Sequence, residues 1–294
     1  MRVTDKSLYD SAQAGIARAR ERHARATEMT STGSRLLGPA DDPGATGLVA
    51  GHSLDAARFQ AIAGGVTRAS DELEAADAAL GAVNDAVSRA RELAVQMANG
   101  SYTASNRAAA AGEVTSLLKQ AVAALNGQHG GRYLLGGTRD GAPPFDAAGN
   151  YSGDPSVRQV EIAPGVYQAA SLRADVAVKG AGGGTDALAT LAALATALSA
   201  NDVAGIQAAL NPLDAAIGQI AQVRAQGGVA MNVLDAARAA GFQGRDGAKA
   251  AISTLADADP FEAATDLALA ERALEAVISA SARSFGPTLL DSLK

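Results

Sequence analysis

The chain has 294 residues, enough for one to three domains, with 48% hydrophobic residues but only 3% aromatics and no Trp. Its net charge of −6, with acids and bases interleaved, excludes nucleic acid as the main ligand, since no basic stripe with aromatic neighbours occurs. The absence of Cys excludes disulfides, iron–sulfur clusters and thiolate zinc sites.

Much of the apolar content is Ala, and each buried CH₂ contributes only ~0.8 kcal/mol. Such a composition favours long helices in close contact over a globule. The first residues contain no apolar run of signal-peptide type, so a cleaved secretory signal is not expected. No stretch of about eighteen apolar residues exists either, so membrane insertion is not expected.

In chain order, Leu8, Ala12, Ile16, Ala19, His23, Ala26 and Thr30 step by three or four along a weak amphipathic helix. Arg18, Arg20, Arg22 and Arg25 lie mostly off this stripe. A helix with so little apolar area is marginal alone, which predicts that it is disordered or frayed in a lone monomer. Ser31 to Ala40 break the pattern, and Asp42-Pro43 restarts it as an N-cap followed by a proline suited to the first helical position.

The strongest periodicity comes next: Ala69, Leu73, Ala76, Leu80, Val83, Val87, Ala90, Ala94 and Met97 alternate four and three without a slip. In phase before them stand Leu48, His52, Phe59, Ile62 and Val66, with Asp55 the charged exception and Gly64-Gly65 a weak joint. About fifty helical residues would extend roughly 75–80 Å. After the Asn99-Gly100 turn, with Ser105 as the expected cap, Arg107, Ala111, Val114, Leu118, Ala121 and Leu125 carry a second stripe. The chain is thus expected to double back. Leu73, Leu80, Val83, Val87, Met97, Leu118 and Leu125 are the expected core of a rod.

Residues 131–184 read as a small β-rich insertion, with strand-like runs at 132–135, 157–162 and 175–178 and a flexible joint at Gly180–Gly184. Helix returns at Asp186 with Leu188, Leu191, Leu194 and Leu198. Past a break at 199–202 it resumes with Ile206, Leu210, Leu213, Ile217 and Ile220, Pro212 predicting a local kink. A further break is expected across Gly241–Gly247. A last helix then starts near Ala248 or Pro260, with Leu267, Leu274, Val277, Ile278, Ser281 and Phe285 on its stripe. That stripe could complete an intramolecular bundle with the 48–97 helix, or meet other subunits.

The fold class is therefore mainly α: an elongated antiparallel helical rod or coiled coil formed by the N- and C-terminal segments, with a β-rich inserted domain. Its segments are 1–40 for N-terminal assembly, 41–130 and 185–250 for the two halves of the rod, 131–184 for the insertion, and 251–294 for the C-terminal helix and assembly. The expected assembly interface is Val3, Leu8, Ile16, Leu274, Val277, Ile278, Phe285, Leu289, Leu290 and Leu293.

No catalytic constellation is present. His23, His52 and His129 lack partners at metal-ligand spacing, and Asp41-Asp42 suits a helix cap better than a metal pair. Asp146, Asn150 and Asp154 are too widely spaced for a calcium loop. Gly180–Gly184 lacks dinucleotide register, and no Ser stands in G-x-S-x-G. Neither an enzyme nor a cofactor is expected.

Specific blocks nevertheless carry a resemblance. Ser31-Thr32-Gly33-Ser34-Arg35 and Gly38-Pro39-Ala40-Asp41-Asp42-Pro43 resemble the signature near the start of bacterial flagellin-like proteins. Arg91–Gln96, Arg132–Thr138, Tyr151–Asp154, Asn232–Asp235, Leu255–Asp259 and Leu289–Leu293 are similar to further blocks of that family, in the expected order. Within it, Asp41-Asp42-Pro43 together with the R-Y-L-L-G-G-T and Y-S-G-D blocks resembles the hook–filament junction proteins of the FlgL type more than flagellin. Gly286-Pro287-Thr288 and the arginines of 18–25 depart from the family pattern. The resemblance implies a structural subunit of the bacterial flagellum, exported unfolded by the flagellar type III apparatus and extracellular at the hook–filament junction. Flagellin or a minor filament protein is the alternative. The implied partners are further copies of the chain in a ring, the other junction protein, flagellin and an export chaperone.

Overall fold

The computed structural model describes residues 5–285. The protein is mainly helical: α1 (Asp5–Thr32), α2 (Pro43–Met97), α3 (Ala104–Leu125), the short α4 (Ala174–Ala177), α5 (Ala187–Ser199), α6 (Val203–Ala256) and α7 (Pro260–Phe285). Four short strands make two antiparallel hairpins, β1 (Gln128–His129) with β2 (Arg132–Tyr133), and β3 (Gln159–Ala163) with β4 (Val166–Ala169). The chain divides into two compact units, one of residues 1–57 with 244–294 and the other of residues 58–243, and both α2 and α6 pass from one unit into the other.

Helix starts follow capping chemistry. Asp42 Oδ1 accepts the Ala45 amide at 2.9 Å, Asp186 Oδ1 the Ala189 amide at 2.9 Å and Asp202 Oδ1 the Gly205 amide at 3.0 Å. At α7, Asp259 Oδ1 accepts the Phe261 amide at 2.8 Å, with Pro260 in the first helical position. The cap of α3 is Thr103 rather than Ser105: its side chain accepts from the Asn106 amide while Asn106 answers to the Thr103 amide, a closed capping box.

In the unit of residues 58–243, α2 and α6 run antiparallel. Arg91 pairs with Asp214, Arg224 makes two 2.9 Å bonds to Asp77, and Gly241 lies against Ala63. Leu73, Leu80, Val83, Val87 and Met97 are buried along this seam, and α3, packed on α5, adds Val114 and Leu125. Leu118 is half-buried against the same core. Leu188, Leu191, Leu194 and Leu198 of α5 and Ile206, Leu213 and Ile220 of α6 complete it. At one end sits a buried cation. Arg107 donates to the carbonyls of Met97 and Asn99, each at 2.9 Å, and to Asn201 Oδ1 at 2.6 Å.

Several expectations need correction. The 175–178 run is helix α4, not strand: Ala174, Ala177 and Val178 are buried at helical spacing, and Asp175 occupies the favourable first turn. Only Arg132 and Tyr133 of the 132–135 run pair as strand, and Leu134 and Leu135 enter the core from irregular backbone. β4 follows the Gly165 turn, where φ is 76°. The break expected across Gly241–Gly247 does not occur, and α2 runs on through the joint at Gly64-Gly65. Gly65 is where Val160 seats, 3.6 Å from the place of a Cβ, and Gly241 admits the close approach of Ala63 at 3.1 Å. Before Phe59 the covered line on α2 runs Ala45, Val49, His52 and Ala56, so Leu48 and Asp55 are exposed.

The Tyr151–Asp154 block closes a loop. Tyr151 packs on Phe145 with ring centroids 5.1 Å apart, its hydroxyl donates to the carbonyls of Leu135 and Asp154 at 3.2 Å, and burial pushes it up to about 12. The hydroxyl and amide of Thr138, with the Ser156 amide, hold the Asp154 carboxyl well below the usual carboxylate range.

Candidate assembly surface

The remaining unit is built on α1 and α7, which run antiparallel. Gly15 faces Val277, His23 Nε2 lies 4.0 Å from Glu271, and the Thr30 hydroxyl donates to the Ala263 carbonyl at 3.3 Å. Their shared seam repeats every three or four residues: Ala12, Ile16, Ala19, His23 and Ala26 on α1 against Ala263, Leu267, Ala270, Leu274, Val277 and Ser281 on α7. Leu267, Leu274, Val277 and Ser281 of the stripe predicted for α7 are thus turned toward α1.

The Ser31–Pro43 block forms the joint that holds this pair. Gly33 takes φ 69°, open to glycine without strain, and its carbonyl accepts the Ala258 amide at 2.8 Å. Arg35 returns a bond from its amide to the Ala256 carbonyl at 2.8 Å, and the Ser34 hydroxyl donates to the same carbonyl at 3.1 Å. The link between α6 and α7 is thereby stitched to the end of α1. Asp41 gathers the other side. One oxygen takes Arg25 at 2.6 Å and the other takes the amides of Leu37 and Gly38 at 2.9 and 3.0 Å. The Arg25 guanidinium, helped by those amides, holds the Asp41 carboxyl below its ordinary range.

What this unit lacks is bulk. Its buried residues, among those described, are Ala19, Ala26, Ala45, Ala56, Ala248 and Ala263, whereas the other unit buries a continuous cluster of Leu, Ile and Val. Large apolar side chains stay outside instead: Phe261 is 85% exposed, Leu54 77% and Leu269 56%. Grooves flank the seam. One of about 750 Å³ lies beside Tyr9, Gln13, Ile16, Arg20 and Ala282, and another of about 410 Å³ lies beside Arg22, Arg25, Met29, Asp266, Leu269 and Ala273.

Of the residues predicted for assembly, Ile16, Leu274 and Val277 are half-buried in the seam and Ile278 is exposed beside it. Leu8 lies on α1 and Phe285 ends α7, but their side chains fall outside the described part, as do Val3, Leu289, Leu290 and Leu293 altogether. Among the described residues no group of three His, Asp or Glu is placed to hold a metal, and no helix is long and apolar enough to cross a membrane. Sequence reasoning missed the roles of Gly33, Ser34 and Asn201, and of Arg107. The signal for Arg107 was its position in an otherwise apolar stripe.

Residues 3–140 match the profile of the bacterial flagellin N-terminal helical region. The chain is 30% identical over 162 residues to flagellar hook-associated protein 3 of Salmonella typhimurium, covering 54% of this chain and 51% of that one. It therefore spans about half the length of the curated relatives it matches. Its fold is similar to that of Xanthomonas campestris FlgL, with a TM-score of 0.60 at 20% identity, covering 67% of this chain and 98% of that one. It is likewise similar to Bacillus cereus FlgL, with a TM-score of 0.58 at 21% identity, covering 67% and 95%. Over its N-terminal part the chain thus resembles the bacterial flagellin N-terminal helical region, and in sequence over about half its length and in fold it is similar to the hook-associated proteins.

Proposed function

We propose that this chain is a structural subunit of the bacterial flagellum that joins the hook to the filament. The observation that supports this reading best is the all-alanine interior of the α1–α7 unit beside exposed Phe261, Leu269 and Ile278. Helices that bury so little of their own apolar surface gain stability from whatever covers the rest. In this reading the assembly surface is the outer side of the α1–α7 pair with the terminal residues Val3, Leu8, Phe285, Leu289, Leu290 and Leu293. Its partners are further copies of the chain, the other junction protein and flagellin. The chain would leave the cell unfolded through the flagellar type III apparatus with a chaperone's help and act outside it.

A strain lacking the protein tests this by electron microscopy. Hooks without filaments, with flagellin monomers in the medium, are the expected result, and normal filaments on hooks would refute it. Removing residues 284–294 should leave the unit of residues 58–243 folded and abolish filament attachment. One observation favours a second reading as flagellin or a minor filament protein, namely that the matching profile is that of flagellin's own N-terminal region. Purified protein separates the two, since a flagellin polymerises alone into long tubes and a junction subunit does not.

A further inference from the structure

Asn-Gly occurs twice in the chain, at 99–100 and 126–127, and the surroundings of the two pairs are opposite. The dipeptide matters because glycine, without a Cβ, lets its own amide nitrogen reach the asparagine side chain before it. At 126–127 every reacting group is tied down. Asn126 is half-buried, its Nδ2 donates to the Phe145 carbonyl at 2.8 Å and its Oδ1 accepts the Phe145 amide at 3.0 Å. The Gly127 amide donates to the Ala124 carbonyl at 3.0 Å. At 99–100 the groups are free to react. Asn99 and Gly100 are exposed in the turn between α2 and α3, and among the described residues the Gly100 amide has no hydrogen-bond partner. Beyond its chain neighbours, a Cβ on Gly100 would meet nothing within 4 Å. The bond that the Asn99 side chain does make activates it: Oδ1 accepts the Ser101 amide at 3.0 Å, which polarises Cγ and favours negative charge on that oxygen. The main-chain carbonyl of Asn99 accepts the Tyr102 amide at 3.3 Å and Nη2 of the buried Arg107 at 2.9 Å.

We propose that Asn99 is a self-modifying site that converts to isoaspartate and so gives Arg107 an anionic partner. The Gly100 nitrogen attacks Cγ of Asn99 and forms an N–Cγ bond. The Cγ–Nδ2 bond breaks, and ammonia leaves with the Gly100 amide proton. A five-membered imide results, its two carbonyls derived from the side chain and the main chain of Asn99. Water then adds to the main-chain carbonyl, the one that Arg107 polarises, and the bond from that carbon to the Gly100 nitrogen breaks. The nitrogen stays bonded to Cγ, so the chain now runs through Cβ and Cγ, and the former main-chain carbonyl is a free carboxylate. No electrons are exchanged, and water is the only co-reactant. Arg107 donates to three neutral acceptors and makes no ion pair among the described residues, so the oxygen it already holds gains the charge that a buried guanidinium lacks. The change is one-way, because the ammonia is lost, and it stands independently of the functional reading above.

The test ages the purified full-length chain at neutral pH, folded and in guanidinium chloride, with peptide mapping by mass spectrometry and labelling by isoaspartate methyltransferase. In the folded chain the peptide holding Asn99 should exchange NH₂ for OH while the peptide holding Asn126 stays intact, and in denaturant the two should react alike. The ratio of isoaspartate to aspartate at position 99 should be higher from the folded chain, because only there does Arg107 face the carbonyl. Ser101→Pro, which removes the amide donor from an exposed turn, should slow the loss of Asn99 about tenfold, the worth of one hydrogen bond. Folded protein that keeps Asn99 intact, or that loses Asn99 and Asn126 at one rate, overturns the proposal. Equal product ratios in the folded and denatured chains overturn the part given to Arg107. An unchanged rate in Ser101→Pro overturns the part given to the Ser101 amide.

Discussion

Arg107 shows how much a single buried cation can organise. Its three donor groups meet two carbonyls at the end of α2 and the side chain of Asn201, whose φ of 52° holds the turn before α6. All the acceptors are neutral, and the two carbonyls lie at a helix C-terminus, where positive charge is favoured. Replacing Arg107 with Met removes the donors and strands buried acceptors, at a cost of about 2–3 kcal/mol. Urea unfolding of the variant should report this as a lowered midpoint with an unchanged slope. Lys should rescue little, since an ammonium cannot span the fork. Carboxylates behave with equal clarity. Asp41 and Asp154 both have folded pKa values below the ordinary 3.8. Their contribution is therefore complete above that value and disappears as pH falls through the lowered ones. Acid titration followed by circular dichroism should show stability falling below about pH 4, and Asp154→Asn should flatten that fall.

At the scale of elements, glycines inside helices divide into those with a neighbour and those without. A Cβ on Gly64 would meet only the end of Arg68, at 3.8 Å, so Gly64→Ala should stabilise α2 by about 1 kcal/mol. Gly241→Ala would press a methyl to 3.1 Å from Ala63, so the propensity gain is opposed by strain between α2 and α6. Thermal melts of the two variants should shift in different measure, with Gly64→Ala the higher. The same division explains what the sequence could tell. The four–three stripe from Ala69 to Met97 was legible because buried residues recur at helical period. The break read at Gly241–Gly247 was not real, because a composition signal cannot distinguish a hinge from a place where another chain segment comes close. The run at 175–178 misled for a related reason: one acid followed by three apolar residues fits a strand or one helical turn equally well. The Ser31–Pro43 block was recognisable as a signature. That its Ser34 and Arg35 reach Ala256 was not, because the partners are more than two hundred residues away.

For the molecule as a whole, the unequal interiors of the two units predict unequal persistence. The unit of residues 58–243 has a Leu-rich core, whereas the unit built on α1 and α7 has only alanines inside. Local opening is cheapest where few apolar contacts are lost. Limited proteolysis of the isolated chain should cut first within residues 5–57 and 244–285 and leave a resistant fragment close to 58–243. Amide exchange should rank the units the same way. Equal protection throughout would remove the main support for assembly through the ends.

The seam between α1 and α7 includes Ala12, Ala19, Ala26, Ala263 and Ala270. An alanine has no side-chain torsion to freeze, so bringing α1 and α7 together sacrifices no rotamer entropy on those positions. The ordering cost of closing the pair therefore falls on the half-buried Ile16, Leu267, Leu274 and Val277, the larger apolar side chains of the seam.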